Sequence, residues 1–168
     1  MNKLLQELPA CPVALTVQII ASRWKLLIIR DLMEGTKRNS ELLHSLEGIS
    51  QKVLTNTLRD LEKLGLVNRE VFAEVPPRVE YSLTPLGYSL LPLMMTLYAW
   101  GAAFQRHFNL NQDTVDNDQE YFAQIYSQLQ EHTQTIDPAI FDSPYYEQQM
   151  SFINNLLAQS DFSAFVQP

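Results

Sequence analysis

Lys52, Thr55, Asn56, Arg59 and Lys63 recur at intervals of 3, 4, 7 and 11 residues, which at a helical period places them on one face. Val53, Leu54, Thr57, Leu58 and Leu61 fall on the opposite face and form an apolar stripe. A helix of this kind packs with one side and presents donors with the other. The donors match the edges of DNA: arginine reads guanine, asparagine reads adenine, and lysine and threonine find phosphates. A solvated surface helix carries the same residue types, so the neighbouring elements must decide what the face is for.

Those elements follow from caps and periodicity. Ser50 caps this helix and Gly65 ends it. Upstream, Ser22 can cap a helix from Arg23 to about Glu34, stopped by Gly35. Trp24, Leu27, Ile28 and Leu32 lie on one of its faces and Leu26, Ile29 and Met33 on another, so it is expected to be central. Asn39 is expected to cap a shorter helix carrying Leu42, Leu43 and Leu46 that ends at Gly48. Three short helices joined by brief turns form the three-helix version of a helix-turn-helix.

After Gly65 the period shifts toward two. "LVNREVF" is followed by "RVEYSL", in which Val79, Tyr81 and Leu83 alternate with Arg78, Glu80 and Ser82. The connection from Ala73 to Pro77 holds Pro76 and Pro77, which stiffen it. Together these predict a hairpin wing. Thr84 and Pro85 then open a long helix with Leu86, Leu90, Leu93, Met94, Leu97 and Phe104 in a stripe, and Pro92 is expected to kink it. The expected fold is mainly α with a small β-hairpin: a winged helix-turn-helix domain followed by a C-terminal helical extension. In that docking geometry Ser50, Gln51, Lys52, Thr55, Asn56 and Arg59 face the groove, with Arg38 and Arg78 also meeting DNA, Arg78 from the wing. Ser50 in addition stands where backbone donors at a helix start suit a phosphate.

Charge is divided along the chain. The net charge is −7, yet all twelve basic residues lie between Lys3 and Arg106, where they outnumber the acids by two. From His107 onward there are nine acids and no lysine or arginine. The break, near "NLNQDTVDNDQ", suggests a DNA-binding and dimerisation domain at 1–107 and an acidic helical extension at 108–168. The extension holds two amphipathic segments, one with Phe122, Ile125 and Leu129 and one with Met150, Ile153 and Leu157, expected to pack on the dimer region. The thin basic surplus leaves a second reading open, a winged helix that binds protein without specific DNA binding.

Other functions find little support. His44, His107 and His132 are scattered and Cys11 is the single cysteine, too few members for a zinc site; no metal or cofactor is expected. Glycine-rich phosphate loops and a nucleophile elbow are absent, so an enzyme is not expected. Arg23 and Lys25 interrupt the apolar run from Val13 to Ile29, and a cytoplasmic, non-membrane protein is expected.

"RWKLLIIRDL", "RNSELL", "GISQKVLTNTLRDLEKLGLVNR", "EVPPRVEYSLTPLG" and "LLPLMMTLYAWG", preceded by "CP" at Cys11, follow one another in the order and spacing of a known group. Over about Cys11 to Gly101 the chain resembles the HxlR-type winged helix regulators. The resemblance implies a bacterial transcription factor, often a repressor, that binds paired half-sites as a dimer. Asn39 departs from that pattern, which usually has an aromatic residue there, and the residues after Phe108 depart from its length. The dimer is expected from the helix Pro85 to Phe104 pairing with the segment Val13 to Ile20, since both carry more apolar surface than three short helices cover. Cys11 directly precedes Pro12 and so stands at a helix start, where the helix dipole favours an anion. It is either a small packing residue or, as the resemblance implies for a cysteine at this place, a sensor of oxidants or electrophiles.

Overall fold

The computed structural model describes residues 9–75, 77–108 and 110. The expectations for Phe122, Ile125, Leu129, Met150, Ile153 and Leu157 lie outside the described residues. In chain order the elements are α1 (Pro12–Ile20), α2 (Arg23–Met33), β1 (Lys37–Arg38), α3 (Asn39–Ser45), α4 (Gln51–Lys63), β2 (Val67–Phe72), β3 (Arg78–Leu83), α5 (Pro85–Tyr88) and α6 (Leu91–His107). The chain divides into two compact units, Met1–Gly87 and Tyr88–Pro168, so the charge break near residue 107 lies within the second.

Pro12 opens α1 at a position whose N–H would be unpaired in any helix, and Cys11 holds the N-cap with an extended backbone. Its far end is closed by Lys25, whose Nζ donates to the Ile19 carbonyl at 2.9 Å. A bend of 80° separates α1 from α2 and splits the apolar run; no single described helix is long and apolar enough to cross a membrane. Ser22 stands at the N-cap of α2 as its type suggests, but its side chain makes no capping bond.

The core of the first unit gathers around α2, which packs against α3, α4 and β3. Ile28, Ile29, Leu32, Leu42, Leu46, Leu54, Leu58 and Leu61 are all shut off from solvent. Asp31 is buried among them. Its oxygens are satisfied: Arg30 Nε and a second guanidinium nitrogen donate to it at 2.9 and 2.7 Å, and the Ser45 hydroxyl donates at 2.5 Å. The Ser45 bond ties the last turn of α2 to the end of α3.

Two local readings need correction. Asn39 does not cap α3; it is the first helical residue, and Arg38 takes the N-cap with an extended backbone because it closes β1. The Arg38 N–H is satisfied by the Glu41 carboxylate at 2.6 Å, so the acid three residues on supplies the capping bond. The long helix expected from Pro85 is not kinked but broken: α5 stops at Tyr88 and α6 starts at Leu91. Pro92 has no N–H to donate and its ring crowds the carbonyl four residues earlier, that of Tyr88. The helix therefore ends there and restarts with Pro92 in its first turn, where the Met94 N–H donates to the Leu90 carbonyl at 3.0 Å.

The wing is larger than a hairpin. β3 lies between β1 and β2, antiparallel to both, with Lys37 opposite Tyr81 and Arg38 opposite Glu80 on one side, and Val67 opposite Leu83 through Phe72 opposite Arg78 on the other. A two-residue strand has no period to read, which is why alternation found only two strands.

The join between α4 and the wing is fixed by backbone geometry. The N–H of Gly65 donates to the Glu62 carbonyl at 3.0 Å and that of Leu66 to the Leu61 carbonyl at 3.0 Å, while Gly65 takes φ +73. This is the doubly bonded left-handed helix stop that glycine accepts most readily. Thr84 then donates through its N–H to Leu66 O at 3.0 Å and through its hydroxyl to Gly65 O at 2.5 Å. The same hydroxyl oxygen accepts from Gly87 N at 3.0 Å and caps α5. Gly87 lies so close to the Leu66 carbonyl that a Cβ would overlap it. The "TPLG" sequence thus pins the end of the proposed reading helix to the end of the wing.

In the second unit, Leu91, Met95 and Ala102 of α6 are buried, and burial raises the pKa of the Tyr88 phenol above its ordinary value. Leu97, Trp100 and Phe104 of the same helix are exposed, as is Phe108 just beyond it. The rings of Trp100, Phe104 and Phe108 form a ladder, with centroids 5.3 and 4.6 Å apart along it.

Candidate nucleic-acid interface

α4 separates its faces more strongly than α1, α2 or α6. Leu54, Thr57, Leu58 and Leu61 are buried, and the Thr57 hydroxyl is satisfied within the helix by the Val53 carbonyl at 2.8 Å. Val53, assigned to the apolar stripe by its spacing, is 39% exposed and sits at the stripe's edge. On the other face Gln51, Lys52, Asn56 and Arg59 are exposed and Thr55 is half-buried. Among the described residues neither Lys52 nor Arg59 makes an ion pair, whereas Lys63 reaches Asp60 at 3.6 Å.

Ser50 caps α4 as its type predicts, its hydroxyl oxygen accepting from Val53 N at 3.3 Å. The hydroxyl proton remains available to an incoming acceptor. Gln51 Nε2 donates to Asn39 Oδ1 on α3 at 2.6 Å, and Thr55 donates to the Gln51 backbone carbonyl at 2.8 Å. Structure brings Gln51, Lys52, Thr55, Asn56 and Arg59 together on one helix face, with Ser50 at the N-terminal end of the helix. Asn39 joins them, a residue that sequence reasoning had placed in a cap. Twelve residues separate Asn39 from Gln51, so no helical or strand period links them, and the contact emerges only when α3 and α4 pack.

The wing arginines are placed differently. Arg38 is exposed and its Nε lies 3.5 Å from Glu80 Oε1. Arg78 approaches the same oxygen at 2.9 Å, meets Glu74 at 3.1 Å, and stacks its guanidinium over the Phe72 ring at 3.9 Å. Its side chain is 28% exposed. One carboxylate, Glu80, therefore holds both cations, a role that alternation had reduced to an outward-facing polar position. The cross-strand register explains the cluster, because Glu80 stands directly opposite Arg38 of β1 and Arg78 stands opposite Phe72 of β2.

Cys11 is exposed at the start of α1 and is a free thiol. No group of three or more histidine, cysteine, aspartate or glutamate side chains is arranged to hold a metal among the described residues.

Comparison with known proteins places this arrangement. The family model for HxlR-like helix-turn-helix domains matches residues 19–109. An HTH-type transcriptional regulator of Methanothermobacter thermautotrophicus is 45% identical over 97 residues, covering 58% of this chain and 74% of that one. A crystal structure of a MarR-family transcriptional regulator from Enterococcus faecalis V583 is similar with a TM-score of 0.52 and 44% identity, over 65% of this chain and 94% of that one. The redox regulator HypR in its oxidized form is similar with a TM-score of 0.52 and 42% identity, over 54% of this chain and 94% of that one. The family model covers the winged helix that carries α4, and the relatives it matches are transcriptional regulators: the chain belongs to the HxlR-like helix-turn-helix family.

Proposed function

We propose that this transcriptional regulator is a homodimeric repressor that binds a palindromic operator in the bacterial cytoplasm. Ser50, Gln51, Lys52, Thr55, Asn56 and Arg59 are the groove-facing set on this reading. The observation that carries it is that, among the described residues, Lys52 and Arg59 make no ion pair on the exposed face of α4, opposite a fully buried leucine stripe. Arg59 and Asn56 offer the donor patterns that read guanine and adenine, while Lys52 and the Ser50 hydroxyl suit phosphates. Arg38 and Arg78 are secondary contacts on this reading, because Glu80 already answers part of the charge of both.

The dimer would form through α1 and α6, each of which leaves large apolar side chains exposed in one chain: Val13 and Val17 on the first, Leu97, Trp100 and Phe104 on the second. Two copies related by a two-fold axis then present two groove helices to paired half-sites. The acidic extension at 108–168 is proposed to pack on this dimer region, since an acidic segment near the groove would repel phosphate.

Cys11 is proposed as the site through which oxidants or electrophiles act, supported by its exposure at the start of α1 and by the likeness to HypR. As the single cysteine of the chain it can bridge only to a second molecule, take up a small thiol, or be alkylated. Operator binding by native protein and by Cys11→Ser, each with and without diamide or a quinone, tests this. Loss of affinity confined to the native protein supports it, and equal responses remove it.

The test of the main reading is binding-site selection from random DNA, followed by affinity measured against salt and by sedimentation of the free protein. A selected inverted repeat, affinity falling steeply with salt, and a dimer at micromolar concentration are expected. Affinity indifferent to salt and to sequence would favour a winged helix that binds protein instead.

A further inference from the structure

We infer that Asn39 determines which bases Gln51 accepts, by holding the Gln51 side-chain amide so that only its oxygen is free to meet DNA. The inference rests on the proposed reading of α4 as the groove helix. Gln51 is the first residue of α4, at the end of a groove helix from which side chains reach base edges. Its Nε2 donates to Asn39 Oδ1 at 2.6 Å and lies 3.4 Å from Thr55 Oγ1. The Thr55 hydroxyl proton is already committed to the Gln51 backbone carbonyl at 2.8 Å.

That commitment favours one orientation of both amides. A hydroxyl that has donated its proton to the Gln51 carbonyl offers only lone pairs, which suit the Gln51 amide nitrogen and not its oxygen. The Asn39 amide must then present oxygen. Both Nε2 hydrogens of Gln51 are thereby directed at protein acceptors, one closely and one at longer range, and Oε1 is left as the free group.

An isolated glutamine is ambiguous: its amide pairs two ways with adenine, and its nitrogen alone can donate to guanine O6 or thymine O4. A glutamine whose nitrogen is occupied is not. It accepts from the exocyclic amino groups of adenine or cytosine in the major groove and meets only acceptors on the major-groove edges of guanine and thymine. Asn39 is thus a positioning residue for recognition. It is itself well placed to hold still, since it is half-buried and begins α3 directly after the Glu41 carboxylate has closed onto the Arg38 N–H.

The experiment uses the full chain and DNA obtained by binding-site selection. Affinities of wild type, Gln51→Ala, Asn39→Ala and Asn39→Asp are measured for the selected site and for each single-base-pair variant of it. At one base pair of each half-site wild type should favour the two pairs that carry adenine or cytosine on the same strand over the two that carry guanine or thymine there, by about three- to tenfold, a preference that Gln51→Ala abolishes. Asn39→Ala should reduce the preference to under about twofold at that base pair and leave the others unchanged. Asn39→Asp keeps an acceptor for Gln51 and should retain the preference, while its added negative charge weakens binding to all DNA alike. An Asn39→Ala profile identical to wild type, loss of the preference in Asn39→Asp as complete as in Asn39→Ala, or a preference that groups adenine with guanine, or adenine with thymine, on one strand would overturn the inference. So would a selected sequence with no base pair that depends on Gln51, which leaves α4 as the groove helix. A wild type that selects no sequence removes the groove reading itself, and this inference with it.

Discussion

Arg59 on α4 is exposed and makes no ion pair among the described residues, whereas Arg78 on β3 lies between Glu80 at 2.9 Å, Glu74 at 3.1 Å and the face of Phe72. The two arginines have the same chemistry and opposite availability. A cation without a partner brings its whole charge to a phosphate or a base edge; a cation already paired gains only the difference between the new partner and the old. On the proposed reading, binding energy is concentrated in the helix, and the wing contributes shape and a reserve of charge released only when carboxylates are displaced. Presence of a basic residue near a groove is therefore a weaker sign of contact than the absence of a competing acid.

Substitutions can break or sharpen this contrast. The largest effect is expected on the buried face of α4 itself. Leu58 is fully enclosed, and Leu58→Ala should cost about 2 to 5 kcal/mol of stability by removing apolar contact and leaving a cavity. Thermal or denaturant unfolding reads it, and a loss below about 1 kcal/mol would mean that the helix is not anchored as described.

Arg78→Ala comes next, with a stability loss of about 1 kcal/mol from the stacked and paired guanidinium. Its affinity for operator should fall less than about threefold, because a paired cation contributes little. A large affinity loss with unchanged stability would instead make Arg78 a principal contact. The smallest expected effect is a gain. Glu80→Gln removes the carboxylate shared by Arg38 and Arg78 and should tighten binding to operator and random DNA alike by about two- to fivefold, with a steeper salt dependence. Unchanged affinity and salt slope would show that the two arginines never reach phosphate.

How much of this could be read from the chain depends on the range of the interaction. α4 was legible because its cap at Ser50, its stripe of Leu54, Leu58 and Leu61 and its stop at Gly65 are all local, and each is found where its residue type predicts. The hairpin was legible from the alternation of Val79, Tyr81 and Leu83. β1 was not, since two residues carry no period and their pairing with Glu80 and Tyr81 is set by the fold. The same limit hid the Asn39 to Gln51 bond and the sharing of Glu80, both of which join residues far apart in sequence. Pro92 was recognised as a disruption, but whether a proline kinks or breaks a helix depends on whether the chain can restart, and here a new first turn at Leu91 accommodates it.

The central claim, that the free cation of α4 and not the paired cation of the wing reads the operator, is tested most directly by comparing Arg59→Ala with Arg78→Ala on selected operator and on random DNA at one salt concentration. Arg59→Ala should lose about 1 to 3 kcal/mol on the operator and little on random DNA, while Arg78→Ala changes both by less than about 0.7 kcal/mol. Equal losses for Arg59→Ala on the two DNAs, or a larger operator-specific loss for Arg78→Ala, would contradict the account.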